Sequence, residues 1–260
     1  MTHRFKSSLM KVKSSKMVVI GHRGAPSHAP ENTIPSFLKA IDVGVDFIEF
    51  DVRSSRDGFL VVMHDDRVDR TTDSKGLVSR FTLEELRSMD AGAWFSPRFR
   101  GVKIPTFEEV LNLAKGRVSV AVDLKETGIE ELVLKLLRSY GLVYGSMVIA
   151  PPEVGRRVKM SEPRITVQAD LNVGRGFEGS VDELVKSLVD IASIRIEELS
   201  SDVVRYCHKR GLLVNAWAVN TVEDVLRCVE AGVDFITTDT PKLVIETLRG
   251  KTSEQAFRPF

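Results

Sequence analysis

Val18-Val19-Ile20-Gly21-His22-Arg23-Gly24 is followed by Phe47-Ile48-Glu49-Phe50-Asp51-Val52 and then by Val61-Val62-Met63-His64-Asp65. Each run is short, apolar and rich in β-branched residues, and each is bounded by glycine or charge, so each reads as a buried strand. The polar groups sit where the strands run out, which is where a parallel α/β fold presents its active site. Glu49 and Asp51 are two apart, so on a strand both side chains leave the same face. Carboxylates held together in a buried strand repel one another unless positive charge lies between them. A divalent cation supplies that charge, and hard oxygen ligands favour Mg or Ca.

Outward from this segment the same alternation continues. Strand-like runs at 18–22, 46–52, 118–123, 146–149, 165–169, 191–196, 212–217 and 234–238 alternate with helix-like runs at 33–43, 106–115, 128–140, 152–160, 181–190, 200–210, 221–231 and 240–249. Such alternation predicts a parallel sheet with crossover helices. Eight strands suggest closure into a (β/α)8 TIM barrel, with an open doubly wound sheet as the alternative. Thr106, Ser180 and Thr221 read as helix N-caps, the last with Asp224 as a capping-box variant. Asp239, before Pro241, also reads as a cap. Gly141 and Gly211 read as helix stops.

The chain has 260 residues, which suits one barrel of about 250 residues. The segment 65–104 fits neither a strand nor a single helix, yet it carries Phe81, Leu83, Leu86, Met89, Trp94, Phe95 and Phe99. That apolar content predicts a folded insertion over the barrel mouth. The expected organisation is a flexible basic leader at 1–16, a single catalytic barrel at 17–250 with the inserted cap at 65–104, and a C-terminal tail at 251–260.

Hydrophobic residues make up 43% of the chain and the formal net charge is +1. No apolar run approaches the roughly 20 residues of a membrane helix, so no transmembrane segment is expected. The charge balance argues against nucleic acid as a partner. The leader is basic, but the apolar Met17-Val18-Val19-Ile20 is shorter than the roughly 7–15 residues of a secretory h-region, and reads better as the first strand. Cys207 and Cys228 fall in predicted helices and read as free thiols in a reducing, cytoplasmic setting. No oligomeric state follows from the sequence.

His22 and His64 stand at strand ends beside a carboxylate pair, and imidazole is the side chain best matched to proton transfer near neutral pH. They are the candidate acid and base, whereas His3, His28 and His208 lack that setting. A third oxygen ligand should come from another strand end, and Asp123 in Val120-Ala121-Val122-Asp123-Leu124-Lys125 is the candidate. Arg23 and Lys125 are candidate ligands for an anionic phosphate, a forked donor and a point charge respectively. Either could instead pair with the neighbouring carboxylates. Glu31 fits a helix start and a functional role equally.

These pieces together resemble the glycerophosphodiester phosphodiesterases. The resemblance rests on His22-Arg23-Gly24, Pro30-Glu31-Asn32-Thr33, Glu49-x-Asp51, His64-Asp65, Asp69-Arg70-Thr71-Thr72 and Ile104-Pro105-Thr106-Phe107-Glu108-Glu109-Val110. Weaker likeness returns at Trp217-Ala218-Val219-Asn220 and at Gly232 to Pro241. The resemblance implies a barrel with an insertion after its second strand, and hydrolysis of small-molecule glycerophosphodiesters to glycerol 3-phosphate and an alcohol. It further implies one divalent cation, Mg or Ca, on Glu49, Asp51 and Asp123, catalysis by His22 and His64, and substrate contacts from Arg23, Lys125 and Trp217. Trp217 would be an apolar wall for the glycerol backbone. Two departures stand out: Asp123 occupies a position where the family has glutamate, and Ala150-Pro151-Pro152 replaces an expected Ser-Phe. The alternatives are a lysophospholipase D or phospholipase-C-like lipid phosphodiesterase, with Phe95 and Phe99 as an acyl-chain surface, and a barrel that only binds phosphorylated ligands.

Overall fold

The computed structural model describes residues 17–174 and 176–255. The strands are β1 (Val18–Gly21), β2 (Phe47–Ser54), β3 (Leu60–Val62), β4 (Ser119–Leu124), β5 (Ser146–Ile149), β6 (Thr166–Asp170), β7 (Ile191–Arg195), β8 (Leu213–Trp217) and β9 (Phe235–Thr238). The helices are α1 (Ile34–Val43), α2 (Leu83–Ser88), α3 (Phe107–Ala114), α4 (Glu130–Ser139), α5 (Pro152–Ser161), α6 (Phe177–Lys186), α7 (Ser201–Lys209), α8 (Val222–Ala231) and α9 (Pro241–Gln255). All the strands except β3 pair in parallel, and the pairing of β1 with both β9 and β2 closes them into an eight-stranded barrel. The open-sheet alternative is thereby excluded. The leader expected at 1–16 and the end of the expected tail, 256–260, lie outside the described residues; α9 carries the helix through to Gln255.

Parity along each strand decides what faces where. On β2, Ile48, Phe50 and Val52 point outward into the core between strands and helices. Phe50 lies edge-on to Phe37 of α1, with ring centroids 5.7 Å apart, and 5.8 Å from Phe107 of α3. The alternate positions point inward. Val18, Ile20, Ala121, Met147, Ile191 and Phe235 form a separate apolar cluster inside the barrel. It plugs the end where the strands begin, so the inward positions nearer the strand C-termini are left to carry polar groups.

The plugged end is tied by three aspartates, each just before a strand. Asp46 accepts the Val19 N–H at 3.0 Å, Asp190 the Val167 N–H at 2.8 Å, and Asp234 the Val214 N–H at 2.9 Å. In each case the aspartate before one strand satisfies the start of its neighbour, so a carboxylate bridges two adjacent staves. Asp234 also receives His208 Nε2 at 2.8 Å, which places His208 at the end of the barrel opposite the strand C-termini.

The insertion is folded. Val61, Met63, Val68, Val78, Leu86 and Met89 pack with Ala91 and Ile104 into a small core of their own. Its α2 opens with a reciprocal capping box, Thr82 with Glu85. The strand expected before His64 is present as β3, which pairs antiparallel with β2, Val52 opposite Val62. Two sequence expectations need correction. The helix expected over 181–190 starts earlier, and Ser180 lies inside α6 and is not its cap. Gly176, left-handed at φ 84°, precedes the helix, and the Phe177 ring packs edge-on to Tyr206 at 5.6 Å. An aromatic anchor, not a hydroxyl cap, sets that start. Asp239 is not a helix cap either; Val244 N–H bonds to the Thr240 carbonyl, which makes Thr240 the last residue before α9. The caps at Thr106 and Thr221 are present, as are the left-handed glycines at 141 and 211. Among the described residues no helix is long and apolar enough to cross a membrane.

Asp234→Ala is expected to lower the free energy of unfolding by roughly 1–3 kcal/mol, because the buried Val214 N–H loses its acceptor. Urea denaturation measures this. A variant as stable as the parent would show that the inter-strand aspartates do not hold the barrel closed.

Candidate active site

Three carboxylates converge where β2 and β4 end. Glu49 and Asp51 share the inward face of β2, and the register sets Asp51 opposite Asp123. Glu49 is 2% exposed and Asp51 1%. One oxygen from each of the three lies within 4.8 Å of the others, so Asp123 reaches the cluster despite being a methylene shorter than glutamate. Glu49 Oε2 accepts the Arg23 backbone N–H at 2.7 Å. Asp51 Oδ2 accepts from Asn32 Nδ2 at 2.6 Å. Lys125 Nζ lies 2.6 Å from Asp123 Oδ2 and 3.0 Å from Asp51 Oδ1. Apart from that charge, Asp51 Oδ1 is buried without a hydrogen bond.

The electrostatics follow from this crowding. Burial, then the neighbouring Asp51 charge, pushes Glu49 up to about 8. Burial also raises Asp123, with Asp51 adding to the effect against the pull of Lys125. Burial opposes ionisation of Asp51 too, but Lys125 and Arg23 outweigh it and hold Asp51 low. Without further positive charge the cluster keeps a proton on Glu49. Three hard oxygens from two adjacent strands, two of them on buried side chains and all crowded together, are the donor set that a small divalent cation takes. The described residues therefore fit such an ion.

Both histidines are oriented by carboxylates. His22 Nδ1 lies 2.7 Å from Asp239 Oδ1, and His64 Nδ1 lies 2.7 Å from Asp65 Oδ1. A carboxylate on Nδ1 fixes the tautomer and leaves Nε2 as the nitrogen for proton exchange. Burial works against charging His22, yet the Asp239 hydrogen bond, with lesser help from the surrounding carboxylates, more than compensates, so its pKa is raised. His64 follows β3, and Arg53 donates to its carbonyl oxygen from both Nε, at 3.0 Å, and Nη2, at 2.7 Å. An antiparallel strand off the barrel edge thus delivers the second imidazole.

Arg23 stands at φ 51° and Asn32 at φ 55°. Left-handed backbone is unfavourable for arginine and tolerated by asparagine. At Arg23 it aims the N–H at Glu49, while Nη1 reaches Glu31 Oε1 at 2.8 Å and Nε lies 3.3 Å from Asp51. Glu31 is also gripped by Arg70, whose Nη1 and Nη2 donate at 2.7 and 2.8 Å while its Nε donates to Asp65 at 2.7 Å. Glu31 is therefore a bridge between barrel and insertion, and Arg70 ties that bridge to the residue that orients His64.

A cavity of about 520 Å³ opens at this end of the barrel. His22, Arg23, Glu49, His64, Asp123 and Lys125 line it, together with Trp217; Asp51 sits behind its wall. All the sequence-predicted site residues are thus brought together. Ala150, Pro151 and Pro152 form a stretch of the rim. Arg195 stacks over the Trp217 ring at 5.5 Å. Phe95 and Phe99 do not line the cavity: they pack edge-on against each other at 5.6 Å. His28 pairs with Ser27 near the surface. His3 lies outside the described residues.

Several residues escaped the sequence reading. Asp239 orients His22 and is itself held by Asn220 Nδ2 at 2.7 Å. Asn32 fixes Asp51. Asp170, at the end of β6, is a further carboxylate of the mouth, raised by burial despite a hydrogen bond from Ser193. Strand parity held a signal for it, because Gln168 and Asp170 share the inward face.

The model of the glycerophosphoryl diester phosphodiesterase family matches residues 22–138 and 156–243. A glycerophosphodiester phosphodiesterase of Caldanaerobacter subterraneus subsp. tengcongensis is 34% identical over 245 residues, covering 90% of this chain and 98% of that protein. Among solved structures, a glycerophosphodiester phosphodiesterase of Agrobacterium tumefaciens superposes with a TM-score of 0.80 at 27% identity, covering 89% of this chain and 100% of the other. A phosphodiesterase of Oleispira antarctica in complex with the product sn-glycerol-3-phosphate superposes with a TM-score of 0.82 at 25% identity, covering 92% and 99%.

Asp239→Asn keeps the side-chain shape and removes the charge facing His22. Burial then dominates, so the His22 pKa is expected to fall below that of the parent. Imidazole NMR titration reads this shift. An unchanged His22 titration would show that Asp239 does not set its protonation.

Proposed function

The chain belongs to the glycerophosphoryl diester phosphodiesterase family, and from that premise we propose a mechanism in which two histidines act beside a carboxylate-bound divalent cation. The reaction is hydrolysis of glycerophosphodiesters to glycerol 3-phosphate and an alcohol. Glu49, Asp51 and Asp123 would hold one Mg or Ca ion, which when bound would polarise a phosphoryl oxygen and acidify an oxygen nucleophile.

The protein's own groups do the rest. Arg23 and Lys125 lose part of their carboxylate pairing to the phosphate, whose charge they match in fork and point geometry. One imidazole Nε2 removes the proton from the attacking oxygen and the other gives a proton to the departing alkoxide. Asp239 and Asp65 steady the two rings and stabilise whichever becomes charged. Trp217 supplies an apolar wall along the glycerol carbons. The observation that carries this reading is the meeting of two carboxylate-oriented imidazoles and the three-carboxylate cluster on one cavity.

The lipid-enzyme alternative has no support from Phe95 and Phe99, which turn to each other and not to the cavity. A purely binding barrel would have no need of two imidazoles each held by a carboxylate. A cytoplasmic setting accords with the buried free thiols Cys207 and Cys228.

Chelation with EDTA should abolish turnover of a panel of glycerophosphodiesters, and Mg or Ca should restore it. Asp123→Ala should weaken metal binding while Asp123→Glu retains it and alters the preference between the two ions. Full turnover in metal-stripped protein would refute the metal role. His22→Ala and His64→Ala should each lose about 10²–10⁴-fold in kcat. A p-nitrophenyl ester needs little protonation of its leaving group and should rescue one of the two variants selectively, which identifies the acid. Near-parental turnover of a good substrate by both variants would refute the two-histidine mechanism.

A further inference from the structure

Across the cavity from the three-carboxylate cluster, β6 and β8 present a wall of different character. On β8 the inward positions run Leu213, Asn215, Trp217, and on β6 Gln168 and Asp170 share the inward face. A barrel interior is ordinarily packed with Val, Ile and Leu. Here Gln168, 3% exposed, and Asn215, 1% exposed, both line the cavity. Asn215 Oδ1 accepts from Thr237 Oγ1 at 3.1 Å. Asn215 Nδ2, Gln168 Oε1 and the Trp217 indole Nε1 are buried and have no hydrogen-bond partner.

Buried polar groups in native proteins are almost always satisfied, and an orphaned one is costly. Three on one cavity wall, one acceptor and two donors, imply something that both donates and accepts. A hydroxyl does both, so a pair of neighbouring hydroxyls matches the set. An ammonium could not use the two donors, a phosphate or carboxylate could not use the Gln168 acceptor, and an alkyl chain could use none.

We propose that Gln168, Asn215 and the Trp217 indole form a diol-binding wall that takes the vicinal hydroxyls of the glycerol arm, and that Gln168 and Asn215 set the specificity for an arm bearing them. This rests on the site being one for glycerophosphodiesters. With the phosphate held by Arg23 and Lys125, one ester arm faces this wall and the other leaves toward solvent. The wall reads the first.

Calorimetric titration of the Mg-loaded protein with glycerol 3-phosphate and with n-propyl phosphate, which lacks both hydroxyls, tests this. The parent should bind glycerol 3-phosphate about tenfold or more tightly than propyl phosphate. Asn215→Leu and Gln168→Met should each shrink that preference to about threefold or less, with propyl phosphate still bound. Should Asn215→Leu fail to fold for want of the Thr237 partner, Gln168→Met carries the comparison alone, because the replaced Oε1 has no partner to lose. Equal affinities in the parent, as when ordered water alone satisfies this wall, would overturn the proposal while leaving the phosphate site standing. A preference retained in the folded variants would overturn it as well. Binding of neither ester by the parent would instead remove the site reading on which it rests.

Discussion

Mutual repulsion among Glu49, Asp51 and Asp123 is the constraint around which the rest of the site is arranged. Two adjacent strands in parallel register bring these carboxylates together, and burial denies them water. Every neighbouring feature answers that charge. Arg23 adopts a left-handed backbone to give Glu49 an N–H, Asn32 does the same to give Asp51 an amide, and Lys125 spans Asp51 and Asp123. The charge left over on Asp51 adds to burial in raising Glu49. Strained backbone of this kind costs stability and persists only where the surroundings overdetermine it.

The barrel supplies those surroundings by dividing its two ends. The apolar interior cluster and the inter-strand aspartates hold the end where the strands begin. The inward positions nearer the strand C-termini can then be spent on charge and hydrogen bonding. The insertion completes the site through the Glu31–Arg70–Asp65 chain of ion pairs, which links the loop after β1 to the residue that orients His64. Neither the barrel nor the insertion alone would hold both imidazoles on one cavity.

Much of this was legible in the sequence, for physical reasons that also mark where legibility ends. The eight staves showed as short apolar runs because parallel strands are buried on both faces. Glu49 and Asp51 were paired by strand parity, and Asp123 and Lys125 by the same rule. Asp239 was misread because an aspartate just before Thr-Pro looks like a cap, whereas its role depends on a partner 217 residues away. The strand before His64 was legible as a short apolar run, but its antiparallel pairing direction leaves no local trace. Gln168 and Asn215 passed unnoticed as single polar residues in apolar strands, although the parity that revealed Glu49 applies equally to them.

Proton release on metal binding tests the central claim most directly. If crowding keeps a proton on Glu49 below about 8, a divalent cation must displace it, so affinity should rise with pH toward that value and then level. Titrating Mg into the metal-free protein at neutral pH, by calorimetry in two buffers of different ionisation enthalpy, counts the protons released. The account predicts close to one per ion in the parent and close to none in Glu49→Gln. Metal binding by the parent with no proton released, and with affinity independent of pH, would contradict it.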